Sequence, residues 1–148
     1  MTLIHTTGIH HFRLTITDID RSRAFYENVL GFTVVAESTG SPENPAVRTD
    51  PAQLYGGVVF ETNGMLFGLR PVANRDDHFD SERVGLDHVS FAVNTIDDLH
   101  TIVQKLDKAR IRHGDVTEIN QFGIAILAFN DPDGIHLEVT APMPSRRD

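Results

Sequence analysis

Cysteine is absent from this chain of 148 residues. Its absence excludes disulfides, zinc–thiolate sites, iron–sulfur clusters and thiol catalysis. Positive charge is scarce: 13 Lys and Arg stand against 21 Asp and Glu, a net charge of −8 at pH 7. A nucleic-acid surface needs clustered Lys and Arg, so no nucleic-acid partner is expected. Long apolar runs are also missing. None reaches the ~20 residues of a membrane-spanning helix, and none opens the chain behind a basic segment. Neither a membrane partner nor secretion is expected, which leaves a cytoplasmic location. The hydrophobic share of 40% and charged share of 23% are ordinary for a globular chain. The length suits one domain over residues 1–148, built of two small modules around a shared core. Eight histidines without cysteine leave imidazole and carboxylate as the strong metal-ligand chemistry.

The chain repeats itself. Residues 8–32, GIHHFRLTITDIDRSRAFYENVLGF, read as strand, turn, amphipathic helix and a glycine stop. The plan returns from Gly85 as GLDHVSFAVNTIDDLHTIVQKLDKARI. Aligning His11 with His88 also aligns Gly8 with Gly85, Leu14 with Phe91, Ile16 with Val93 and Ile19 with Ile96. Residues 10–17 alternate with a period of two, which predicts a half-buried strand. Asp18 or Asp20 caps the following helix, Phe25, Val29 and Leu30 form its apolar stripe, and Gly31 suits the left-handed position after it. Residues 32–36 are a second strand. Residues 37–54 hold Pro42, Pro45 and Pro51 and read as one long loop, either a binding lid or a plain surface excursion. Residues 55–61 and 65–70 form a hairpin across Thr62-Asn63-Gly64. Residues 71–84 are polar and aperiodic, a linker.

The second module follows the same order. Residues 88–93 are a strand, and Thr95 with Asp98 resembles a capping box. Leu99, Ile102, Val103 and Leu106 make the helix stripe. Residues 118–123 are a loop, 124–129 a strand, 131–134 a turn, and 135–140 the last strand. Residues 1–7 are a frayed end or an edge strand, and the tail 141–148 is expected to be mobile. The fold class is α+β: two βαββ modules (paired repeats of the βαβββ type), about 8–70 and 85–141. One helix cannot cover both faces of a twisted sheet, so each module keeps one face free for a cleft.

Alternation decides which side chains share that free face. Phe12, Leu14 and Ile16 pack under the first helix, which leaves His11, Arg13 and Thr15. Val89, Phe91 and Val93 go under the second, leaving His88, Ser90 and Ala92. In the last strand Ile135, Leu137 and Val139 go under, leaving His136, Glu138 and Thr140. His11, His88 and Glu138 therefore lie on free faces by three separate parity counts. Two imidazoles and one carboxylate with open positions suit Fe(II), and Mn, Zn, Co and Ni tolerate the set. A strand histidine is equally at home as a hydrogen-bonded structural residue, and Glu138 as a partly exposed edge residue. Parity does not bring the three together.

The pattern G-I-x-H-x-x-L-x-I-x-D-x-x-R-S-x-x-F-Y-x-x-x-L-G-F over residues 8–32 resembles the vicinal oxygen chelate superfamily. The group includes glyoxalase I, fosfomycin-resistance enzymes, bleomycin-binding proteins, extradiol dioxygenases and methylmalonyl-CoA epimerase. G-L-D-H-V-S-F-A-V and D-P-D-G-I-H-L-E-V resemble its second module. The resemblance implies paired modules forming a cup-shaped mixed sheet with helices on the convex face. It implies a divalent metal ion (Fe, Mn, Zn, Ni or Co) held by His11, His88 and Glu138, chelating two neighbouring oxygens of a small-molecule substrate. It implies a homodimer, favouring one in which module one of each chain meets module two of its partner, although the linker 71–84 is long enough for closure within one chain as well.

The expected activity is that of a glyoxalase-like enzyme of lyase, isomerase or transferase type on a small oxygenated metabolite. His136 is the candidate general acid/base, or a support for the ligands. Arg13, Arg70 and Ser90 are candidate substrate contacts, the arginines for a carboxylate or phosphate; Arg13 is equally suited to an ion pair with a cleft carboxylate. The alternatives are an Fe(II) extradiol-type dioxygenase and a non-catalytic binding or resistance protein. The chain departs from particular members. Gly68 aligns with Glu138 where glyoxalase I has a fourth ligand. Arg13 stands where fosfomycin-resistance enzymes carry Thr. Neither Tyr26 nor Tyr55 lies on the last strands, where an extradiol enzyme would need one. Bleomycin-binding relatives often lack the ligands, and all three are present here.

Overall fold

The computed structural model describes residues 2–144. It divides into two compact units between Asp77 and His78. Each unit holds one four-stranded mixed sheet.

Unit one runs β1 (His11–Thr15), α1 (Ile19–Asn28), β2 (Thr33–Glu37), α2 (Pro45–Arg48), a 3-10 turn (Pro51–Gly56), β3 (Val58–Thr62) and β4 (Met65–Arg70). The sheet order is β1-β4-β3-β2, with β1 parallel to β4 and the other pairs antiparallel. Asp18 caps α1 by accepting from the Arg21 N–H at 2.9 Å. The expected stripe on α1 is corrected. Ser22 and Tyr26, four apart, are its buried residues, and Phe25, Val29 and Leu30 are only half-buried. The reason is an aromatic core. Tyr26 packs with Phe67 at 4.9 Å between ring centroids, and Phe32 and Phe60 complete the cluster. Burying each such ring contributes roughly 1.5–3 kcal/mol. Leu14 and Ile16 join this core, while Phe12 is half-buried against Phe67.

The long loop expected at 37–54 is also corrected: it is a folded insert. Asn44 and Asp50 each cap a short helix that begins at the next residue, Pro45 and Pro51. Arg48 donates to the carbonyls of Pro71 at 3.2 Å and Val72 at 2.9 Å, which ties the insert to the end of β4. The strand expected from residue 55 starts at Val58, because Leu54 and Tyr55 take left-handed φ of 52° and 58°. The β3–β4 turn is as expected, with Asn63 at φ 47° and Gly64 at φ 83°.

Unit two runs β5 (Val89–Ala92), α3 (Ile96–Lys108), β6 (Thr117–Ile119), a 3-10 turn (Asn120–Phe122), β7 (Ile124–Asn130) and β8 (His136–Pro142). Its order, β5-β8-β7-β6, reproduces unit one strand for strand, with β5 parallel to β8. The capping box at Thr95 and Asp98 is formed. Leu99 and Leu106 are buried, with Ile102 and Val103 half-buried beside them. Part of the loop expected at 118–123 is β6, a strand of three residues too short and polar for a visible alternation. The expected mobile tail is corrected in part. Ala141 and Pro142 pair with Ala125 and Ile124, while residues 145–148, like Met1, lie outside the described residues. Residues 2–10 hold neither helix nor strand, so the edge-strand alternative for 1–7 is corrected over its described part. No helix among the described residues is long and apolar enough to cross a membrane.

His113 is tied to Phe129 by an isolated bridge. Its Nδ1 is 2.6 Å from the Gly114 carbonyl and its Nε2 is 3.1 Å from the Asp107 carboxylate. Both nitrogens face acceptors, so both contacts are satisfied only by the protonated ring. The Gly114 carbonyl first, then Asp107, raise its pKa above the ordinary 6.5. The stabilisation is full below about pH 6.5 and is lost as pH rises through the higher folded-state value. Wild-type unit two should lose up to about 1 kcal/mol across that window, and His113→Asn should remove this slope. Denaturant midpoints on both sides of the window test it; equal slopes in the two proteins would remove His113 as the cause.

Candidate functional site

In each unit a helix packs against one face of the sheet, and the opposite face collects the candidate side chains. In unit one, β1 and β4 place His11 beside Leu66, Arg13 beside Gly68, and Thr15 beside Arg70. His11 is exposed, with Nδ1 2.9 Å from Nδ1 of His10. One of those nitrogens donates and the other accepts. Arg13 lies flat over Gly68: a Cβ at that glycine would stand 2.7 Å from the Arg13 Nε. The guanidinium carbons of Arg13 and Arg70 stand 5.4 and 3.9 Å from the centroid of the Tyr55 ring.

In unit two, β5 and β8 place Ser90 beside Glu138 and Ala92 beside Thr140. His88 stands one residue before β5. Its Nε2 is 4.0 Å from Glu138 Oε1, and its ring centroid is 5.9 Å from that of His136. His88 Nδ1 is 2.5 Å from Asp87 Oδ1. A carboxylate only accepts, so Nδ1 carries a proton toward Asp87, and Nε2 is the ring nitrogen turned toward Glu138. Thr140 donates to Glu138 Oε1 at 3.2 Å, and Ser90 Oγ is 2.5 Å from Thr140 Oγ1. Since Thr140 spends its proton on Glu138, Ser90 donates to Thr140. Ser90 thus helps hold Glu138, and only its oxygen lone pairs face outward.

His88, His136, Glu138 and Ser90 therefore gather in unit two, and His11, Arg13 and Arg70 in unit one. Within neither unit do three His, Asp or Glu side chains among the described residues form a complete ligand set. The donors nonetheless fit a divalent metal chemically. A ring nitrogen turned toward a carboxylate, with the other ring nitrogen held by a second carboxylate, is how metal-binding histidines are oriented. Asp87 and Tyr55 are the site residues that alternation does not select; Thr140 it places on the free face, without a role. Asp87 was visible as the acid immediately before His88. Tyr55 was hidden in a segment read as strand.

The register also matches the two sheets position by position: Gly68 is to Arg13 as Glu138 is to Ser90. One unit ends in a carboxylate; the other has a bare backbone covered by an arginine.

The chain belongs to the glyoxalase/bleomycin resistance protein/dioxygenase superfamily, whose family model matches residues 8–139. It is 31% identical over 132 residues to the uncharacterized protein YwkD of Bacillus subtilis (strain 168), covering 89% of this chain and 94% of that one. It is 30% identical over 131 residues to the uncharacterized protein YaeR of Escherichia coli (strain K12), covering 88% and 93%. Among solved structures it resembles a domain of the same superfamily from Frankia sp. EAN1pec, with TM-score 0.72 and 26% identity over 93% of this chain and 99% of that one. Lactoylglutathione lyase from Agrobacterium tumefaciens, at 18% identity and TM-score 0.66 over 92% and 94%, shares the fold.

Proposed function

We propose that the protein is a divalent-metal-dependent enzyme acting on a small metabolite with two neighbouring oxygens, by chemistry of the glyoxalase-like lyase, isomerase or transferase type. His11, His88 and Glu138 would hold Fe, Mn, Zn, Ni or Co. The observation that carries this reading is the orientation of His88, with Asp87 on Nδ1 and Nε2 turned toward Glu138. Such a metal, when bound, supplies Lewis-acid polarisation of a carbonyl, enolate or diol oxygen.

The chain's own groups do the rest. His136, half-buried beside His88, takes and returns the substrate proton, a role that contributes typically ~10²–10⁴-fold. Thr140 and Ser90 keep Glu138 oriented, and Arg13 offers a contact to an anionic substrate group. His11 belongs to unit one and the His88–Glu138 pair to unit two, so the ligand set needs both units. We assign it to a homodimer in which unit one of each chain meets unit two of its partner, in the cytoplasm.

The test is a screen of α-ketoaldehydes, 2-oxoacids, epoxides and catechols, run with metal and with chelator, and with and without oxygen. Metal-dependent turnover without oxygen is expected. Turnover of catechols only with oxygen would make the protein a dioxygenase. Metal-independent binding without turnover on any compound would make it a binding protein.

A further inference from the structure

The face of unit one that carries His11 has a second feature. We propose that Arg13, Arg70 and Tyr55 form a receptor for a small dianionic molecule, one bearing two oxyanion charges, such as a dicarboxylate or a phosphoryl group. Only the placement of this receptor at the substrate's far end rests on the proposed function; the receptor itself does not.

Charge makes the first case. The chain carries 21 acidic residues against 13 Lys and Arg, so counter-charges are plentiful. Other arginines of unit one use them or other acceptors. Arg23 pairs with Glu37 and Glu27, Arg75 with Glu43, Arg48 donates to main-chain carbonyls, and Arg21 donates to Thr17. Arg13 and Arg70 have no ion pair and no hydrogen-bond acceptor among the described residues, and the Nε of each is shut off from solvent without a partner. Each guanidinium is within cation–π range of one shared ring, at 5.4 and 3.9 Å from Tyr55. Two cations gathered on one aromatic ring repel each other unless something negative binds with them.

Geometry makes the second. Arg13 and Arg70 are diagonal neighbours on β1 and β4, since Arg13 is opposite Gly68 and Arg70 lies two residues further on. The missing side chain at Gly68 lets Arg13 lie down on the sheet. With each Nε covered, the terminal nitrogens are left as an end-on fork, the geometry that takes a planar or tetrahedral oxyanion with two bonds. Tyr55 spaces the two forks. It is held in place by its own left-handed turn and by the insert that Arg48 ties to Pro71 and Val72. Arg13 is two residues from His11 along the same strand face, roughly 7 Å. A substrate bound at His11 by one end could therefore present an anionic end here.

The test uses malonate, inorganic phosphate and acetate, titrated calorimetrically into the protein as purified and again after chelator treatment. Malonate, phosphate or both should bind at least about tenfold more tightly than acetate, with and without metal. The stronger of the two identifies the charge spacing. Arg70→Ala and Arg13→Ala should each cost at least about tenfold, and Arg70→Lys most of that, because the fork is lost while the charge stays. Tyr55→Phe should keep the binding and Tyr55→Leu lose it. Acetate binding as tightly as both dianions, or unchanged dianion binding in Arg70→Lys and Arg70→Ala, would overturn the receptor. Dianion binding that survives in a protein without metal-dependent turnover would keep the receptor and sink the proposed chemistry. Turnover of neutral substrates without dianion binding would do the reverse.

Discussion

Replacing Glu138 by alanine is expected to reduce bound divalent metal by at least about 100-fold in affinity and turnover to background. Loss of a residue that merely orients a metal ligand costs ~10–100-fold, and loss of the ligand itself costs more. The fold should survive. Glu138 has a side chain 16% exposed on the face away from α3, and its strand neighbours Leu137 and Val139 supply the buried contacts. Asp87→Ala provides the graded comparison. It removes the group that orients His88 and leaves every proposed ligand in place, so affinity should fall ~10–100-fold with activity restored by excess metal. Metal content after dialysis and thermal unfolding, measured on both variants, separate the effects. A Glu138→Ala protein that retains wild-type metal would remove this residue from the site.

Two inactive variants should restore activity to each other. If the site joins unit one of one chain to unit two of its partner, a dimer mixed from His11→Ala and Glu138→Ala chains carries one site with both lesions and one with none. Random pairing makes about half the dimers mixed, so about a quarter of wild-type activity should return after co-refolding. Wild-type protein taken through the same protocol calibrates recovery. If verified mixed dimers stay inactive, all three ligands come from one chain.

Alternation carried much of this fold because burial follows it. Leu14, Ile16, Leu137 and Val139 are buried, and the residues between them face the other way, as the period of two requires. The paired modules were legible for the same reason: matching glycines and strand phases produced matching sheet orders. In helix α1 shape, and not hydrophobicity alone, decides which residues are buried. Ser22 fits under the helix beside the Tyr26 ring, while the more apolar Phe25 stays half-buried. The prolines of the insert at 44–56 start helices instead of breaking them, which composition alone does not show. Each follows an Asn or Asp, and that pair starts a helix as readily as proline ends one. The candidate residues were located by face, but their partners depend on rotamers. No period in the sequence reports that Asp87 turns to His88 Nδ1, or that Arg70 lies over Tyr55.

The metal content of the purified protein after exhaustive dialysis decides whether His11, His88 and Glu138 form a ligand set. About one tightly held divalent ion per chain is expected, lost on chelation and absent from a His11→Ala/Glu138→Ala double variant. Wild-type protein that holds no more metal than the double variant, after reconstitution with each of Fe, Mn, Zn, Ni and Co, would contradict that ligand set.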